Sequence, residues 1–380
     1  MKVMIVVTHL LGTGHLARAA TLAHAFKDAG HRPVIVSGGL PVQRFENSDL
    51  ELVQLPPVRS DGVDFSRLLT PTGTVADAAH LQARQRQIID VLQILQPDIL
   101  ITELFPFGRR ILKDEFTALL LAARALPQPL KIFASVRDIL APPSKPSKVS
   151  YADQIIAQHY DAVLVHSDPD VTPLDLSWPV SDSLRPKLQY TGFVAPPPVQ
   201  PDPAVVGADE IIVSAGGGAV GRKLFDCARL AATNDPDTTW RLLIGGADAA
   251  VTITALQQGA PGNLIVEGLR PEFRQMLHHV RASVSFCGYN TAQDILQTDC
   301  PAVFVPFDDG GEVEQSIRAT ALGRLDGIEV LASSDMTPAK LLQSLNAAVS
   351  APRRPHSAYV DGGVKTVQIS AGFGNVTKNV

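Results

Sequence analysis

Cysteine is scarce in this 380-residue chain: there are three, Cys227, Cys287 and Cys300, and they form no C-x-x-C pair. Their number and spacing argue against a disulfide framework and a thiolate zinc site, and predict a reducing, cytoplasmic setting. Charge of one sign is equally thin. The 33 Lys and Arg are opposed by 38 Asp and Glu, for a net charge of -5, with no block of like charges. Nucleic-acid binding draws much of its affinity from clustered cations, so that class receives no support. Long apolar runs are missing too. The longest, around Ala118 to Ala125, falls well short of the roughly 20 residues that a membrane-spanning helix needs. The apolar run at the N-terminus is short and no cleavage site follows it, which argues against a secretory signal. Any membrane contact is therefore expected to be peripheral, at the inner face.

What is present is a globular composition, 45% hydrophobic, over a length that suits two domains better than one. Short apolar runs alternate with helical patterns. In the first half the expected strands are Val3–Val7, Pro33–Val36, Glu51–Leu55, Ile99–Thr102, Lys131–Ser135, Ala162–His166 and Leu188–Tyr190. A helix is expected from His15 to Ala29, with Leu16, Ala20, Ala23 and Phe26 on one face and Gly30 as a left-handed cap. The prolines of Ala195 to Pro203 suit neither a central strand nor a helix interior and read as a stiff connection. The alternation then restarts, with strands expected at Ile211–Ser214, Trp240–Ile244, Leu264–Val266, Ser283–Phe286 and Ala302–Val305. Thr337-Pro338 should cap and open a helix running to Ser350. Strands alternating with helices give an α/β fold with parallel sheets. The expected architecture is two doubly wound, Rossmann-like domains facing across a cleft: residues 1–195, a proline-rich linker at 196–208, and residues 209–380. Such sheets bind ligands at the carboxyl ends of their strands.

Four segments at such strand ends carry chemistry. Gly12-Thr13-Gly14-His15-Leu16-Ala17 follows the first strand and formally fits the dinucleotide fingerprint G-x-G-x-x-A. That fingerprint also needs a carboxylate after the second strand to hold a ribose. Here that strand ends Ile35-Val36-Ser37-Gly38-Gly39, which disfavours a nicotinamide or flavin. His15 sits at a helix N-terminus, where the positive dipole favours the neutral imidazole, a form that can act as a base. The plainer reading of His15 is a capping or packing residue. Ser214 to Gly221 contains Gly216, Gly217 and Gly218, whose backbone N–H groups suit an anion. No Gly-Lys-Ser/Thr follows, so it is not a Walker A loop; the plainer reading is a tight turn.

In the third, Cys287 to Asp294, Asn290 is expected to cap a helix, with Gln293 at the capping-box position and Asp294 one turn in, able to meet ribose hydroxyls. Read plainly, this is a capped helix. In the fourth, Val305 to Gln315, Asp308-Asp309 would suit a hard metal ion, although an exposed acidic loop is the commoner outcome, and sugar hydroxyls would also be well served by the segment's carboxylate and amide acceptors.

Taken together, these segments resemble the GT-B glycosyltransferases, specifically the family 28 branch of bacterial peptidoglycan GlcNAc transferases and predicted bacterial glycosyltransferases. The resemblance runs over nearly the whole chain. It is most specific from Ser285 to Ala319, where Gly288, Thr291, an acidic residue in the helix, Pro301, Pro306-Phe307 and Glu314-Gln315 follow the family's order. It implies a nucleotide-sugar donor, UDP-linked, held by the C-terminal domain, with no cofactor or metal required. The uracil would lie against the backbone near Leu269. Asp294 matches the family's ribose-binding glutamate and is one methylene shorter. Gly216, Gly217, Gly218, Gly288, Asn290 and Thr291 match positions near the diphosphate, and Glu314-Gln315 matches the pair that reads the sugar hydroxyls. The histidine matching His15 deprotonates the acceptor in close relatives, so an inverting hexosyl transfer is implied. The acceptor is an unnamed hydroxyl, lipid-linked or on a polysaccharide.

On the acceptor side, Gly12, Thr13, Gly14, Arg18 and Arg137 are the candidates, together with Glu103, which closes its strand and would orient His15 or bind the acceptor. Asp61 to Thr74 and Pro142 to Lys148 read as long loops. Two other readings compete. A nucleotide-sugar hydrolase or epimerase on the same fold would share the Gly-x-Gly-His-x-x-Arg turn that Gly12 to Arg18 fits. A degenerate binding protein would keep the fold alone, against which stands the retention of His15 and Glu314-Gln315.

Overall fold

A computed structural model describes residues 1–46, 49–61, 67–216, 221–246, 248–308, 311–352 and 361–373. The described residues form two compact units. One takes Met1–Pro196 and the stretch from Asp361 onward, the other the stretch from Pro197 to Pro352.

The first unit holds seven parallel strands: β1 (Lys2–Val7), β2 (Arg32–Ser37), β3 (Glu51–Gln54), β4 (Ile99–Glu103), β5 (Lys131–Arg137), β6 (Ala162–His166) and β7 (Leu188–Tyr190). Their order is β3-β2-β1-β4-β5-β6-β7. The main helices are α1 (Gly14–Asp28), α2 (Ala78–Leu95), α3 (Lys113–Arg124) and α4 (Pro146–His159). Alternation along β1 shows why both faces are covered. Val3, Ile5 and Val7 join a cluster with Leu16, Ala20 and Phe26 of α1, whereas Met4 and Val6 join the cluster of Ile88, Leu92, Phe116 and Leu119 from α2 and α3. A strand buried on both faces is the mark of a doubly wound parallel sheet.

The second unit repeats the plan with β8 (Ile211–Ser214), β9 (Trp240–Ile244), β10 (Leu264–Gly268), β11 (Ala282–Ser285), β12 (Ala302–Phe304) and β13 (Ile328–Val330), ordered β10-β9-β8-β11-β12-β13. Its main helices are α5 (Arg222–Asn234), α6 (Ala249–Gln257), α7 (Tyr289–Leu296), α8 (Glu314–Leu322) and α9 (Pro338–Ser350). Val213, Val284 and Val303 pack against Leu224 and Phe225 of α5 and Leu341 and Leu345 of α9. In each sheet the order reverses beside the first strand of its unit, between β1 and β4 and between β8 and β11. These are the switch points where open α/β sheets hold ligands. Of the four strand ends that the sequence marks as chemical, those after β1, β8 and β11 lie beside them, and the one after β12 lies one strand further out.

Several expectations are corrected. The segment after Pro196 is not a free linker. The Pro197 carbonyl accepts from Arg274 Nη2 at 2.8 Å, Asp209 N donates to the His279 carbonyl at 3.0 Å, and a Cβ at Gly207 would come within 3.1 Å of the Met276 methyl. The second domain does not run to 380: the last helix, α10 (Gly362–Gly372), belongs to the first unit. Its Val367 joins the α1 cluster, and Phe373 meets Phe133 edge-on at 5.3 Å. Pro142 to Lys148 is not all loop, because Pro146 opens α4, as a proline in the first turn of a helix can. Of Asp61 to Thr74, residues 62–66 lie outside the described residues, while Leu69 bridges both Arg59 and Val75. Strand β13 was not expected; three residues with only Ile328 buried carry no readable alternation. The Thr337 cap is present, accepting from Lys340 N at 3.3 Å.

A Cβ added at Gly362 would lie 2.5 Å from the Gly192 carbonyl oxygen and 2.6 Å from that of Phe193. Gly362→Val should therefore destabilise the first unit by about 1–3 kcal/mol. The readout is a lower urea midpoint by Trp178 fluorescence in a Trp240→Phe background. An unchanged midpoint would show that α10 contributes nothing there.

Candidate functional site

The first unit's site is built at the ends of β1, β4, β5 and β6. Thr13 is the residue before α1 and makes no side-chain capping hydrogen bond. A Cβ at Gly12 or Gly14 would meet no atom within 4 Å. The protein's own packing thus does not require glycine at either place, and what the glycines preserve is open space.

His15 lies in the first turn of α1 and Arg18 follows on the same helix face, three residues on. Both reach Glu103, the last residue of β4. His15 Nδ1 stands 2.9 Å from Glu103 Oε1, Arg18 donates a short hydrogen bond to the same oxygen, and Arg18 Nη2 also stands 3.1 Å from His15 Nδ1. Glu103 is 2% exposed and Arg18 5%, so this is a buried charge pair with an imidazole at its edge. The other carboxylate oxygen accepts from Ser135 Oγ at 2.6 Å. Ser135 lies opposite Glu103 in the β4–β5 register. Behind it, His166 Nε2 is 2.9 Å from Ser135 Oγ, and His166 Nδ1 is 2.8 Å from Thr191 Oγ1. Arg109, also deeply set, donates from Nε to the Thr8 carbonyl at 2.6 Å.

Burial sets the protonation states. It pushes the His15 imidazole down from its ordinary 6.5 to about 3, against the opposing pull of Glu103. Burial likewise takes His166 down to about 3, with the Arg18 charge acting the same way. For Glu103 burial acts upward, but the Arg18 charge and the His15 contact outweigh it and hold the carboxyl well below its usual range. At neutral pH the Glu103 carboxylate and the Arg18 and Arg109 guanidiniums are therefore charged and the two imidazoles neutral. Of the expected acceptor-side residues, Gly12, Thr13, Gly14 and Arg18 adjoin this cluster. Arg137 is turned to its own loop, its Nε donating to the Ile139 carbonyl at 2.9 Å.

In the second unit, β8 leads to Gly216, whose φ of +73° needs glycine's freedom and whose N–H donates to Ser214 Oγ at 3.2 Å. Gly217 and Gly218 lie outside the described residues. Gly221 opens α5 at φ +126°, where a Cβ would come 2.4 Å from that of Ala215. After β11 the cap of α7 is Gly288, not Asn290. Asn290 lies inside the first turn and is exposed, Thr291 is half-buried, and Gln293 is buried in the helix and forms no capping box. The start of α7 is held by buried Arg318, which donates to the Cys287 carbonyl at 2.9 Å and lies 5.8 Å from the Tyr289 ring centre.

Asp294 pairs with Arg274 Nε at 3.1 Å, and Arg274 also donates to Gln297 Oε1 at 2.7 Å. Burial pushes the Asp294 carboxyl up to about 6, with Arg274 opposing. Leu269 is 49% exposed just beyond β10. Glu314 begins α8, whose first turn is capped by Glu312, its Oε1 accepting from Gln315 N at 3.2 Å. Gln315 Oε1 in turn accepts from Phe307 N at 3.2 Å. Asp308 accepts from Ser333 Oγ at 2.6 Å, and Asp309 lies outside the described residues. Among the described residues no three His, Cys, Asp or Glu converge as a metal-ligand set, and no helix is long and apolar enough to cross a membrane.

His166, Thr191, Arg109, Arg274, Glu312 and Arg318 were not singled out from sequence. One signal was available for His166: a polar residue ending an otherwise apolar strand.

No protein-family model matches the chain. A curated relative, the UDP-N-acetylglucosamine–N-acetylmuramyl-(pentapeptide) pyrophosphoryl-undecaprenol N-acetylglucosamine transferase of Brucella anthropi, is 29% identical over 148 residues. That match spans 36% of this chain and 38% of the relative, well under two thirds of its length. Among solved structures, Acinetobacter baumannii MurG superposes with a TM-score of 0.62 at 15% identity, over 97% of this chain and 100% of that one. A UDP-GlcNAc 2-epimerase from Methanocaldococcus jannaschii gives 0.59 at 11% identity, over 98% and 100%. The chain has the two-domain GT-B fold and resembles the family 28 glycosyltransferases.

The two buried imidazoles predict a pH dependence of stability. Unfolded histidine takes its proton near 6.5, whereas His15 and His166 take theirs near 3 in the folded state. Between those values the unfolded chain binds more protons, so stability is full above about 6.5 and is lost as pH falls toward 3. Each group contributes a slope of up to about 1.4 kcal/mol per pH unit. The urea midpoint of the first unit should fall between pH 7 and pH 4, and His166→Gln should flatten that fall.

Proposed function

We propose that the chain is a glycosyltransferase that moves a sugar from a UDP-linked donor to an acceptor hydroxyl in a single inverting displacement, with His15 as general base. The observation that carries this reading is the His15–Glu103 contact at the switch point of the first sheet, beside two glycines that face open space. The family 28 relative and the GT-B fold support the enzyme class.

The chemistry follows from the proton positions. A His15 Nδ1–H donating to Glu103 leaves Nε2 with its lone pair outward. The acceptor oxygen attacks the anomeric carbon as Nε2 takes its proton. The bond from that carbon to the diphosphate breaks, and its electron pair leaves with the nucleoside diphosphate. Glu103 stabilises the imidazolium that forms, a task suited to a carboxylate that stays ionised. Single displacement needs no enzyme nucleophile and inverts the centre.

On the donor side, the start of α7 after Gly288, with Asn290 and Thr291, offers N–H groups to the diphosphate, and the turn at Gly216 borders it. A helix N-terminus and free backbone donors stabilise such charge electrostatically, with no metal required. Leu269 borders the uracil, Asp294 receives the ribose hydroxyls, and Glu314 with Gln315 reads the sugar. Glu312 and Phe307 hold that last pair in place. The Brucella relative's description names a pyrophosphoryl-undecaprenol acceptor, which supports a lipid-linked acceptor for this chain and work at the inner face of the membrane.

The epimerase's shared fold keeps a second reading in view, a hydrolase or epimerase that presents water or no acceptor to the sugar. UDP release from UDP-N-acetylglucosamine separates the two. Transfer predicts release that rises at least 10-fold on adding a suitable lipid-linked saccharide, whereas strong release without any acceptor would overturn it. His15→Ala should lower turnover by about 100-fold or more while UDP affinity by calorimetry stays within about 2-fold. Collapse of UDP binding would instead assign His15 to the donor site.

A further inference from the structure

Behind Glu103 lies a buried chain of polar groups that the reaction above does not use. It runs from Glu103 Oε2 to Ser135 Oγ at 2.6 Å, to His166 Nε2 at 2.9 Å, and from His166 Nδ1 to Thr191 Oγ1 at 2.8 Å. Ser135, His166 and Thr191 are fully buried, so no bulk water relieves a mismatched contact. The protons can therefore be counted. A carboxylate only accepts, and 2.6 Å is too short for two lone pairs to face each other, so the single Ser135 proton points at Glu103. The Ser135 oxygen is then an acceptor toward His166, which fixes the proton of His166 on Nε2. Nδ1 of the neutral ring is then bare and faces the Thr191 hydroxyl, whose proton has the Gly192 carbonyl, also at 2.8 Å, as a second acceptor.

A choice of the same kind exists at His15. Its Nδ1 faces two partners that make opposite demands: Glu103 Oε1 at 2.9 Å requires Nδ1 to carry the proton, and Arg18 Nη2 at 3.1 Å requires it bare. In the first case Nε2 is free to act as a base. In the second Nε2 carries the proton and the base is lost. The winner depends on where the Glu103 carboxylate sits, and Ser135 holds its far oxygen.

We infer that Ser135 and His166 are positioning residues that select the reactive tautomer of His15: His166 orients the Ser135 hydroxyl, Ser135 fixes the Glu103 carboxylate, and Glu103 accepts a hydrogen bond from the Nδ1–H that Arg18 would otherwise exclude. The functional consequence rests on the reading of His15 as base; the tautomer does not.

The test uses full-length protein with 15N-labelled histidine. Long-range 15N–1H spectra at pH 7.5 report which ring nitrogen carries the proton, and the His15 signals are assigned by their loss in His15→Gln. Wild type should show His15 protonated at Nδ1. Ser135→Ala and His166→Phe should move it toward the Nε2–H form. His166→Gln, whose amide can supply the lost N–H to Ser135, should restore the Nδ1–H form.

Turnover, read as UDP release from UDP-N-acetylglucosamine, should fall by up to about 100-fold in kcat for Ser135→Ala and His166→Phe with KM little changed, and should recover in His166→Gln. An unaltered His15 tautomer in folded Ser135→Ala and His166→Phe overturns the inference. If both fail to fold, His166→Gln decides alone: a His15 tautomer there that differs from wild type counts against it. A shifted tautomer with unchanged turnover upholds the positioning and instead sinks His15 as the base.

Discussion

One buried carboxylate organises the first unit. Glu103 is an ion at the end of a central strand with almost no access to water, and desolvation alone would drive it to its neutral form. It stays charged because Arg18 and His15 from α1 and Ser135 from the neighbouring strand β5 all aim at it. A buried charge deprived of one such partner is strongly destabilising. The requirement ties the phase of α1 to the register of β4 and β5. The N-terminal turn of that helix is therefore placed by electrostatics as much as by packing, and the glycines before it are left clear.

The second unit meets its demands differently. Among the described residues no deeply buried acid lies at its switch point. Asn290 is exposed in the first turn of α7 and Gly216 is half-buried in the turn after β8, and side chains brace the backbone around these turns. Arg318 grips the Cys287 carbonyl beneath the start of α7, and Glu312 and Gln315 brace the turn into α8. On the proposed donor-site reading, a site that binds anions through main-chain N–H groups needs few titratable residues, and its precision comes from the guanidinium and carboxylate braces behind it.

The strands were legible because a parallel sheet covered on both faces demands continuous apolar runs, and those runs are present in the sequence. Their ends were legible for the same reason: a run that breaks into glycine or a polar residue must have left the sheet. That logic located Gly12 to His15, Glu103 and Gly288. It could not see which polar groups meet, since contacts such as Glu103 with Ser135 arise from strand register and span 32 positions of chain. It also misplaced the cap of α7. Asn290 is a good capping residue type, but the chain enters the helix at Gly288, where tertiary packing around Tyr289 sets the boundary. The short strand β13 and the homeward path of α10 left no local signal, because both are decided by what they pack against.

That homeward path has a consequence for the order of events during synthesis. The first unit is discontinuous: α10 and Phe373, made last, cover Phe133 and the α1 face of a sheet made first. A growing chain can assemble the seven strands early, yet that face stays incomplete until the whole second unit has been translated. Apolar side chains of α1 then remain partly uncovered on the ribosome for the time it takes to make more than 160 residues, roughly 10–30 s at ordinary elongation rates. The fold thus links completion of its first domain to completion of its second, and the interval between them is when the nascent chain is most open to misassociation.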